Sequence, residues 1–278
     1  MARQQKLLIA EFPYRLKHAT ATLHFRTQLS AAARVEVEQM ITGPAKGRRI
    51  SAPLGNPQNA IFAKQEQLDS LRQRFRVHTG RLRRNGMYDW PVEELRNTAE
   101  AFKRGAPVAG LMGFGYGRSK VGLVDRLFLF TPLLGKHVDG LSWIEAHPRE
   151  ARQFARAAFE LIRSLHAQGI AHMDLWAANV MMPTVEGDTV LAIDLENSFS
   201  IPTRFLSETL GFQFGFIYHR ELYRYITEAD YDALVSEALD GFANVDRQRF
   251  WQTYVVCKHE HVGRLERREI FLKGRIGG

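Results

Sequence analysis

The chain is short of cysteine, of acidic residues and of long apolar runs. Its 278 residues include a single cysteine, Cys257. One thiol cannot close an intramolecular disulfide, so a disulfide-stapled scaffold is excluded and a reducing compartment is expected. Against 38 Lys and Arg stand 30 Asp and Glu, which leaves a formal charge of +8. That surplus attracts phosphate-bearing partners, whether nucleotide, nucleic acid or an anionic membrane surface, and does not choose among them. The apolar stretch at residues 7–10 is soon interrupted by Glu11 and Arg15. It is too short for a secretory core or a membrane span, so a cytoplasmic location is expected. There is no internal repeat, no low-complexity tract and no recognisable nucleic-acid-binding module, and no nucleic-acid partner is expected.

What is present is an ordinary globular composition, 45% hydrophobic and 24% charged. The length suffices for one large domain or two smaller lobes, each with its own core. Residues 34–40 alternate Val35, Val37 and Gln39 with Glu36 and Glu38, which predicts a strand. A Gly/Pro turn at 42–47, a second strand at 48–54, a turn at 56–59 and a third strand at 60–65 complete an antiparallel meander. A basic stretch follows, carrying Arg72, Arg74, Arg76, Arg81, Arg83 and Arg84. Asp89-Trp90-Pro91 then has the form of a helix start, with Val92, Leu95, Ala99 and Phe102 on one face. Gly105-Ala106-Pro107 stops that helix, and residues 108–114 and 121–130 read as two strands around a glycine-rich turn.

Past Pro132 the pattern becomes helical. Phe154, Ala157, Ala158, Leu161, Ile162 and Leu165 follow the i, i+3, i+4 rule, and Gly169 ends the run. Residues 170–182 and 190–195 flank a turn at Glu186-Gly187-Asp188. From about 206 to 265 the sequence reads as helices with charged outer faces. The expected class is therefore α+β, with a β-rich N-lobe over residues 1–131 and a mainly helical C-lobe over 132–278.

The chemistry is concentrated in His172-Met173-Asp174-Leu175-Trp176-Ala177-Ala178-Asn179. It follows the amphipathic helix and precedes an apolar strand that ends in Ile193-Asp194-Leu195-Glu196. The pattern H-x-D-x-x-x-x-N, followed by a strand ending in Asp, resembles the catalytic and metal loops of the protein-kinase fold. Phosphoryl transfer needs an acceptor oxygen held in line with the γ-phosphate of ATP. Asp174 can orient that hydroxyl and accept its proton. Asn179 offers a neutral oxygen and Asp194 a charged one to Mg²⁺, which prefers a few protein oxygens alongside phosphate and water. His172 reads as a brace for the loop. The bland alternative, a turn around a satisfied buried histidine, explains neither the offset Asn nor the later strand-end Asp.

The first half holds candidates for the other parts. Lys64, in Ile61-Phe62-Ala63-Lys64, lies on the third predicted strand, where a phosphate-gripping lysine belongs. Glu94 on the following helix is its candidate partner, with Glu93 and Glu100 competing; the alternative is that these are solvated surface charges. The segment 42–47 is a poor match to a glycine-rich loop. Thr131 and Leu133, in the stretch 130–133, occupy the place of an adenine-contacting linker.

Taken together, these segments resemble the bacterial lipopolysaccharide core kinases, of heptose- and Kdo-kinase type, over roughly residues 60–234. Carrying the resemblance are Phe62-Ala63-Lys64, Gly105-Ala106-Pro107-Val108, Met112-Gly113-Phe114-Gly115, Leu127-Phe128-Leu129-Phe130-Thr131, the loop at 172–179 and Ile193-Asp194-Leu195. It implies a two-lobed protein-kinase-like fold, ATP bound between lobes, Mg²⁺, and a sugar hydroxyl of nascent lipopolysaccharide core as acceptor. The resemblance further implies an anionic glycolipid as acceptor and peripheral contact with the inner membrane. The metal loop reads D-L-E where a regulated protein kinase has D-F-G, and no long activation segment follows. Asp174-Leu175-Trp176 and Asp194-x-Glu196 are also similar to aminoglycoside, choline and fructosamine kinases. A soluble small-molecule kinase is thus the alternative, and its usual cationic acceptors fit the basic balance less well. A pseudokinase binding module is disfavoured because Lys64, Asp174 and Asp194 are all present. Of the basic runs, residues 72–84 suit a phosphorylated glycolipid or are a solvated loop. Arg264, Arg267, Arg268, Lys273 and Arg275 read as solvated helix surface and tail. Cys257, His259 and His261 do not share one helix face, so a metal site there is not expected.

Overall fold

The computed structural model describes residues 10–43, 49–55, 60–84 and 86–276. The chain forms an α+β structure of two compact units, Met1–Ala99 with Ala109–Gly135, and Glu100–Val108 with Lys136–Gly278.

The first unit is built on a six-stranded antiparallel sheet in the order β1-β2-β5-β6-β4-β3. Its strands are β1 (Tyr14–His18), β2 (Ala21–Phe25), β3 (Arg49–Leu54), β4 (Ile61–Gln67), β5 (Gly113–Arg118) and β6 (Val124–Pro132). The expected pairing of the strands at 48–54 and 60–65 is present, with Ser51 opposite Lys64. The segment at 34–40 is a correction: it lies inside helix α1 (Ala31–Thr42), capped by Ser30, whose hydroxyl accepts from the Ala33 amide. Ala33, Val37 and Ile41 recur at i, i+4 and i+8 and are buried, while Val35 is 51% exposed. Burial of that stripe against Leu23, Phe25 and Phe130 outweighs the two-residue alternation. The turn expected at 42–47 lies outside the described residues beyond Gly43, and the one at 56–59 lies wholly outside them.

Helix α2 (Leu71–Thr79) absorbs the first half of the basic stretch. It is not a plain solvated loop: Arg74 Nε donates to the Leu68 carbonyl at 2.9 Å, and Arg76 grips Asp89 with two bonds of 2.7 and 3.1 Å. Helix α3 (Trp90–Lys103) starts where expected but turns a different face inward. Glu94, Asn97, Thr98 and Ala101 are buried, and Phe102 is 44% exposed. The buried face is the polar one because Glu94 has a cationic partner on β4. The second predicted strand pair is shifted too. Gly115 and Gly117 lie within β5, and the turn comes at residues 119–122. Glycine suits that position because β2 runs close against it.

The second unit is helical around a small β element. Helices α4 (Gly140–Ala146) and α5 (Ala151–Ala167) lead into β8 (Ala171–His172), β9 (Val180–Pro183), β10 (Leu191–Ala192) and β11 (Ser198–Phe199), with β7 (His137–Asp139) pairing β9. Phe154, Ala158, Leu161, Ile162 and Leu165 of α5 are buried as the periodicity demands. Four further helices follow: α6 (Leu206–Arg220), α7 (Glu228–Leu239), α8 (Arg247–His259) and α9 (Arg264–Lys273). Helix α6 departs from the expected charged outer face. Every residue from Ser207 to Tyr218 is buried, so it is a central helix packed on all sides. Gly215 lets α8 approach, since a Cβ there would lie 2.8 Å from the Tyr254 carbonyl oxygen.

Adding a methyl group at Gly115 would place a Cβ 2.3 Å from the Leu23 side chain and 2.5 Å from the Thr22 carbonyl oxygen, whereas at Gly135 nothing lies within 4 Å. Backbone cannot yield as a side-chain tip can. Gly115→Ala should therefore cost at least about 2 kcal/mol in urea unfolding, and Gly135→Ala should stay within about 0.5 kcal/mol of the parent chain. Equal effects would show that β2 and β5 are not so closely apposed.

Candidate active site

The loop expected to carry the chemistry is fixed by hydrogen bonds at both ends. After α5, β8 pairs with β11, placing His172 opposite Ser198. The His172 side chain is fully buried, and both ring nitrogens are used. Nε2 lies 2.9 Å from the Ile193 carbonyl, and Nδ1 accepts from the Asp174 amide at 3.2 Å. This fixes a neutral ring with its proton on Nε2, and burial also holds its pKa below the usual histidine value. Gln213 of α6 donates to the His172 carbonyl at 3.1 Å and accepts from His166 Nε2 at 2.7 Å; burial lowers the His166 pKa as well. His172 therefore sits as a brace with no nitrogen left for a substrate.

Asp174, two residues on, is 8% exposed. Asn179, in a 3-10 turn at Ala177–Asn179, donates from Nδ2 to the Asp174 carbonyl at 2.8 Å, so its amide nitrogen is tethered to the loop while Oδ1 remains as an oxygen donor. Ile193 donates its amide to the Asn179 carbonyl at 3.1 Å, which brings the next residue, Asp194, beside the loop. Asp194 adopts a left-handed backbone conformation, φ 61°, uncommon outside glycine. Its carboxylate and that of Glu196 bring oxygens within 4.8 Å of each other.

Sequence reasoning missed the arginines of α9. They were expected in solvent, yet Arg267 and Arg268 are each only 5% exposed. Arg267 Nη1 bonds Asp174 Oδ1, its Nε donates to the Val262 carbonyl at 2.9 Å, and its guanidinium lies 4.2 Å from the centre of the Phe216 ring. Arg264 pairs with Glu196 and lies 4.0 Å from Asp174 Oδ2. Arg268 Nε donates to Asn197 Oδ1 at 3.0 Å, and Asn197 in turn accepts the Met173 amide at 2.8 Å. The signal was in the spacing: Arg267, Arg268 and Phe271 share one helix face and are buried, while Arg264, one turn earlier on that face, keeps a side chain 47% exposed.

In the first unit, Lys64 Nζ donates to Glu94 Oε1 at 2.5 Å, with side-chain exposures of 17% and 6%. The competitors are used elsewhere. Glu93 accepts from the Tyr88 amide at 2.6 Å, and Glu100 pairs with Arg104 at 2.8 Å. A cavity of about 20 Å³, room for one water, lies beside the pair and is lined by Leu95, Leu127 and Leu129 among others. Thr131 lies near the end of β6 opposite Phe62, and Leu133 donates its amide to the Ala60 carbonyl at 3.0 Å. Cys257 is buried in α8, where burial pushes its thiol up to about 12. Among the described residues it forms no ligand group with His259 and His261.

No family model and no curated protein matches the chain. Solved structures similar to it include WaaP in complex with acyl carrier protein, at 17% identity over 72% of this chain and 87% of that one, TM-score 0.39. Another is a divergent kinase lacking the glycine-rich loop, which regulates membrane ultrastructure of the Toxoplasma parasitophorous vacuole, at 12% identity over 82% and 90%, TM-score 0.46. A third is a Stt7 homolog from Micromonas algae soaked with ATP, at 13% identity over 67% and 49%, TM-score 0.38.

Two outcomes follow from these contacts. Burial holds His166 and His172 below the ordinary value of 6.5. Below that pH the unfolded chain binds protons that the folded chain refuses, so stability falls as pH drops, by at most about 1.4 kcal/mol per pH unit for each histidine. The urea midpoint should fall between pH 7.5 and 5.5, and His166→Gln should flatten the slope; an unaltered slope in the variant would discount His166. Separately, Asp174→Ala strands the Arg267 charge and should cost about 3–5 kcal/mol. Asp174→Asn, which can still accept a hydrogen bond, should cost clearly less in the same unfolding assay.

Proposed function

We propose that the protein is an ATP-dependent phosphotransferase of protein-kinase-like fold, and that its acceptor is a sugar hydroxyl of lipopolysaccharide core, on heptose or Kdo. One observation carries the reading: a buried carboxylate, Asp174, held rigidly on a loop whose Asn179 and following Asp194 supply oxygen donors beside it. The tethers from Asn179 to the Asp174 carbonyl and from Ile193 to the Asn179 carbonyl support taking the three residues as one set. The Lys64–Glu94 pair in the first unit supports reading Lys64 as the lysine for donor phosphates.

In this mechanism the acceptor hydroxyl is oriented by Asp174 Oδ2, because Oδ1 is engaged by Arg267. The acceptor oxygen forms a bond to the γ-phosphorus as the bond from that phosphorus to the bridging oxygen of ADP breaks. The hydroxyl proton passes to Asp174 and from there to solvent, and ADP carries away the bonding pair. Lys64 neutralises donor phosphate charge, and Glu94 keeps its ammonium in place. The donor set of Asn179 and Asp194, one neutral and one anionic oxygen, suits Mg²⁺, which when bound neutralises charge on the phosphates. Catalysis then consists mainly of positioning and electrostatic stabilisation. Among the described residues no helix is long and apolar enough to cross a membrane. A membrane-borne acceptor would thus be met at the surface, helped by the basic surplus.

The second reading, a soluble small-molecule kinase, draws on Asp194-Leu195-Glu196, where an acidic residue stands two places after the metal-loop aspartate. The test is transfer of γ-³²P from Mg-ATP to purified core lipopolysaccharide. Wild-type protein should label the glycolipid, Asp174→Asn should lower the rate on the order of 10²–10⁴-fold with nucleotide binding intact, and Lys64→Met should weaken nucleotide use. No label on the glycolipid, with Asp174-dependent label on a small alcohol, would favour the second reading. Equal label from wild type and Asp174→Asn would remove the assignment of Asp174.

A further inference from the structure

At the C-terminal end of α6, Arg220 lines a cleft of about 560 Å³ together with Tyr218, His219, Tyr223, Glu228 and Lys258, among others. The other charges of that wall are already balanced. Lys258 is held by Glu228 at 2.7 Å and by both oxygens of Asp232 at 2.8 and 2.9 Å. His219 is kept towards its neutral form by burial. Arg220 differs: its Nε is buried with no hydrogen-bond partner, and no carboxylate pairs with it among the described residues. The buried Nε leaves one donor unmet, and the guanidinium that lines the cleft carries a charge with no counter-ion among the described residues, which an anion in the cleft would balance.

The guanidinium is nevertheless held in place. It stacks on Trp176 at 4.3 Å and lies 5.9 Å from the centre of the Phe216 ring, the same ring that carries Arg267 on Asp174. Trp176 is two residues from Asp174 in the catalytic loop. The charges of Arg220 and Arg264 both press on Arg267 and favour its losing a proton, so the three cations are near neighbours. Arg264 and Arg267 have Glu196 and Asp174 as counter-ions, and Arg220 has none among the described residues.

We propose that the cleft beside Arg220 is the acceptor site, and that Arg220 binds an oxyanion, phosphate or carboxylate, carried by the acceptor alongside the hydroxyl that Asp174 orients. This rests on the phosphotransfer reading and narrows its substrate class. The acceptor is an anionic polyol, and cationic alcohols of the aminoglycoside or choline kind are excluded by the unbalanced guanidinium. Tyr218 and Tyr223 provide the aromatic walls that a sugar ring packs against.

The test uses the full chain labelled with 5-fluorotryptophan, with the Trp176 fluorine resonance assigned through Trp176→Phe, and no nucleotide present. Glucose 6-phosphate, glucuronate, inorganic phosphate and neutral glucose are titrated at matched ionic strength. The anionic sugars should shift the Trp176 resonance saturably and glucose should not. Inorganic phosphate alone should bind more weakly than glucose 6-phosphate if the cleft also holds the ring. Arg220→Gln should weaken the anionic sugars at least tenfold while keeping the parent melting temperature. Arg220→Lys, which retains charge but loses the planar stack, should lie between. A glucose response equal to that of glucose 6-phosphate, an Arg220→Gln variant that binds as tightly as wild type, or no response to any anion overturns the proposal. Binding here is read without ATP, so anion binding alongside Asp174-independent transfer would fault the phosphotransfer reading alone. Asp174-dependent transfer without anion binding would fault only this inference.

Discussion

A charged carboxylate kept out of water must have a fixed counter-charge, and the helical unit is organised around meeting that demand at Asp174. Arg267 meets it from the far end of the chain, itself buried, clamped to the Val262 carbonyl and resting on Phe216. Removing either ion would leave the other stranded at a cost of several kcal/mol, so the last helix and the catalytic loop stand or fall together. Arg268 repeats the tie one residue on, through Asn197 to the backbone of Met173. The loop's geometry is thus set by long-range charge contacts as much as by the strand pairing beneath it.

His172 shows the complementary solution. A buried ring that could titrate would be a poor brace, since each protonation would break a contact. Here one nitrogen accepts from the Asp174 amide and the other faces the Ile193 carbonyl, so the neutral form is the one that fits. The loop separates a neutral group that holds shape, His172, from a buried carboxylate, Asp174, held by Arg267. That division suits phosphoryl transfer, in which the protein has little covalent work to do and gains most from placing charges in advance.

Legibility followed the kind of constraint. Of the loop at 172–179, the sequence anticipated His172 as a brace, which its ring hydrogen bonds bear out; α5 was readable because its apolar stripe has one period and no rival. Lys64 was readable by its strand, but choosing among Glu93, Glu94 and Glu100 required the structure. The strand expected at 34–40 failed because two periods coexist there, and only the position of the core decides between Val35 and Val37. Strands β1 and β2 were not named, although Leu16, Leu23 and Phe25 are core residues. Their hairpin turns at Ala19, φ 47°, with no glycine or asparagine to announce it. The arginines of α9 carried the right spacing, but burial of a guanidinium depends on where its partner lies, and that partner is about ninety residues away in sequence.

The net charge of +8 invites the picture of a uniformly basic surface, and the structure resolves it differently. Arg76 is committed to Asp89, Arg267 to Asp174, Arg268 to Asn197 and Lys258 to Asp232 and Glu228. Each of these cations holds two elements together and is lost to any partner outside the chain. These contacts leave the surplus unchanged in number, but they show which cations are committed inside the chain and so where it can act. Near the loop at 172–179, Arg220 has no carboxylate partner among the described residues; it stacks on Trp176 and lines a cleft. On the proposed reading, the choice of acceptor becomes a question about one guanidinium and what neutralises it, a far narrower question than the composition posed.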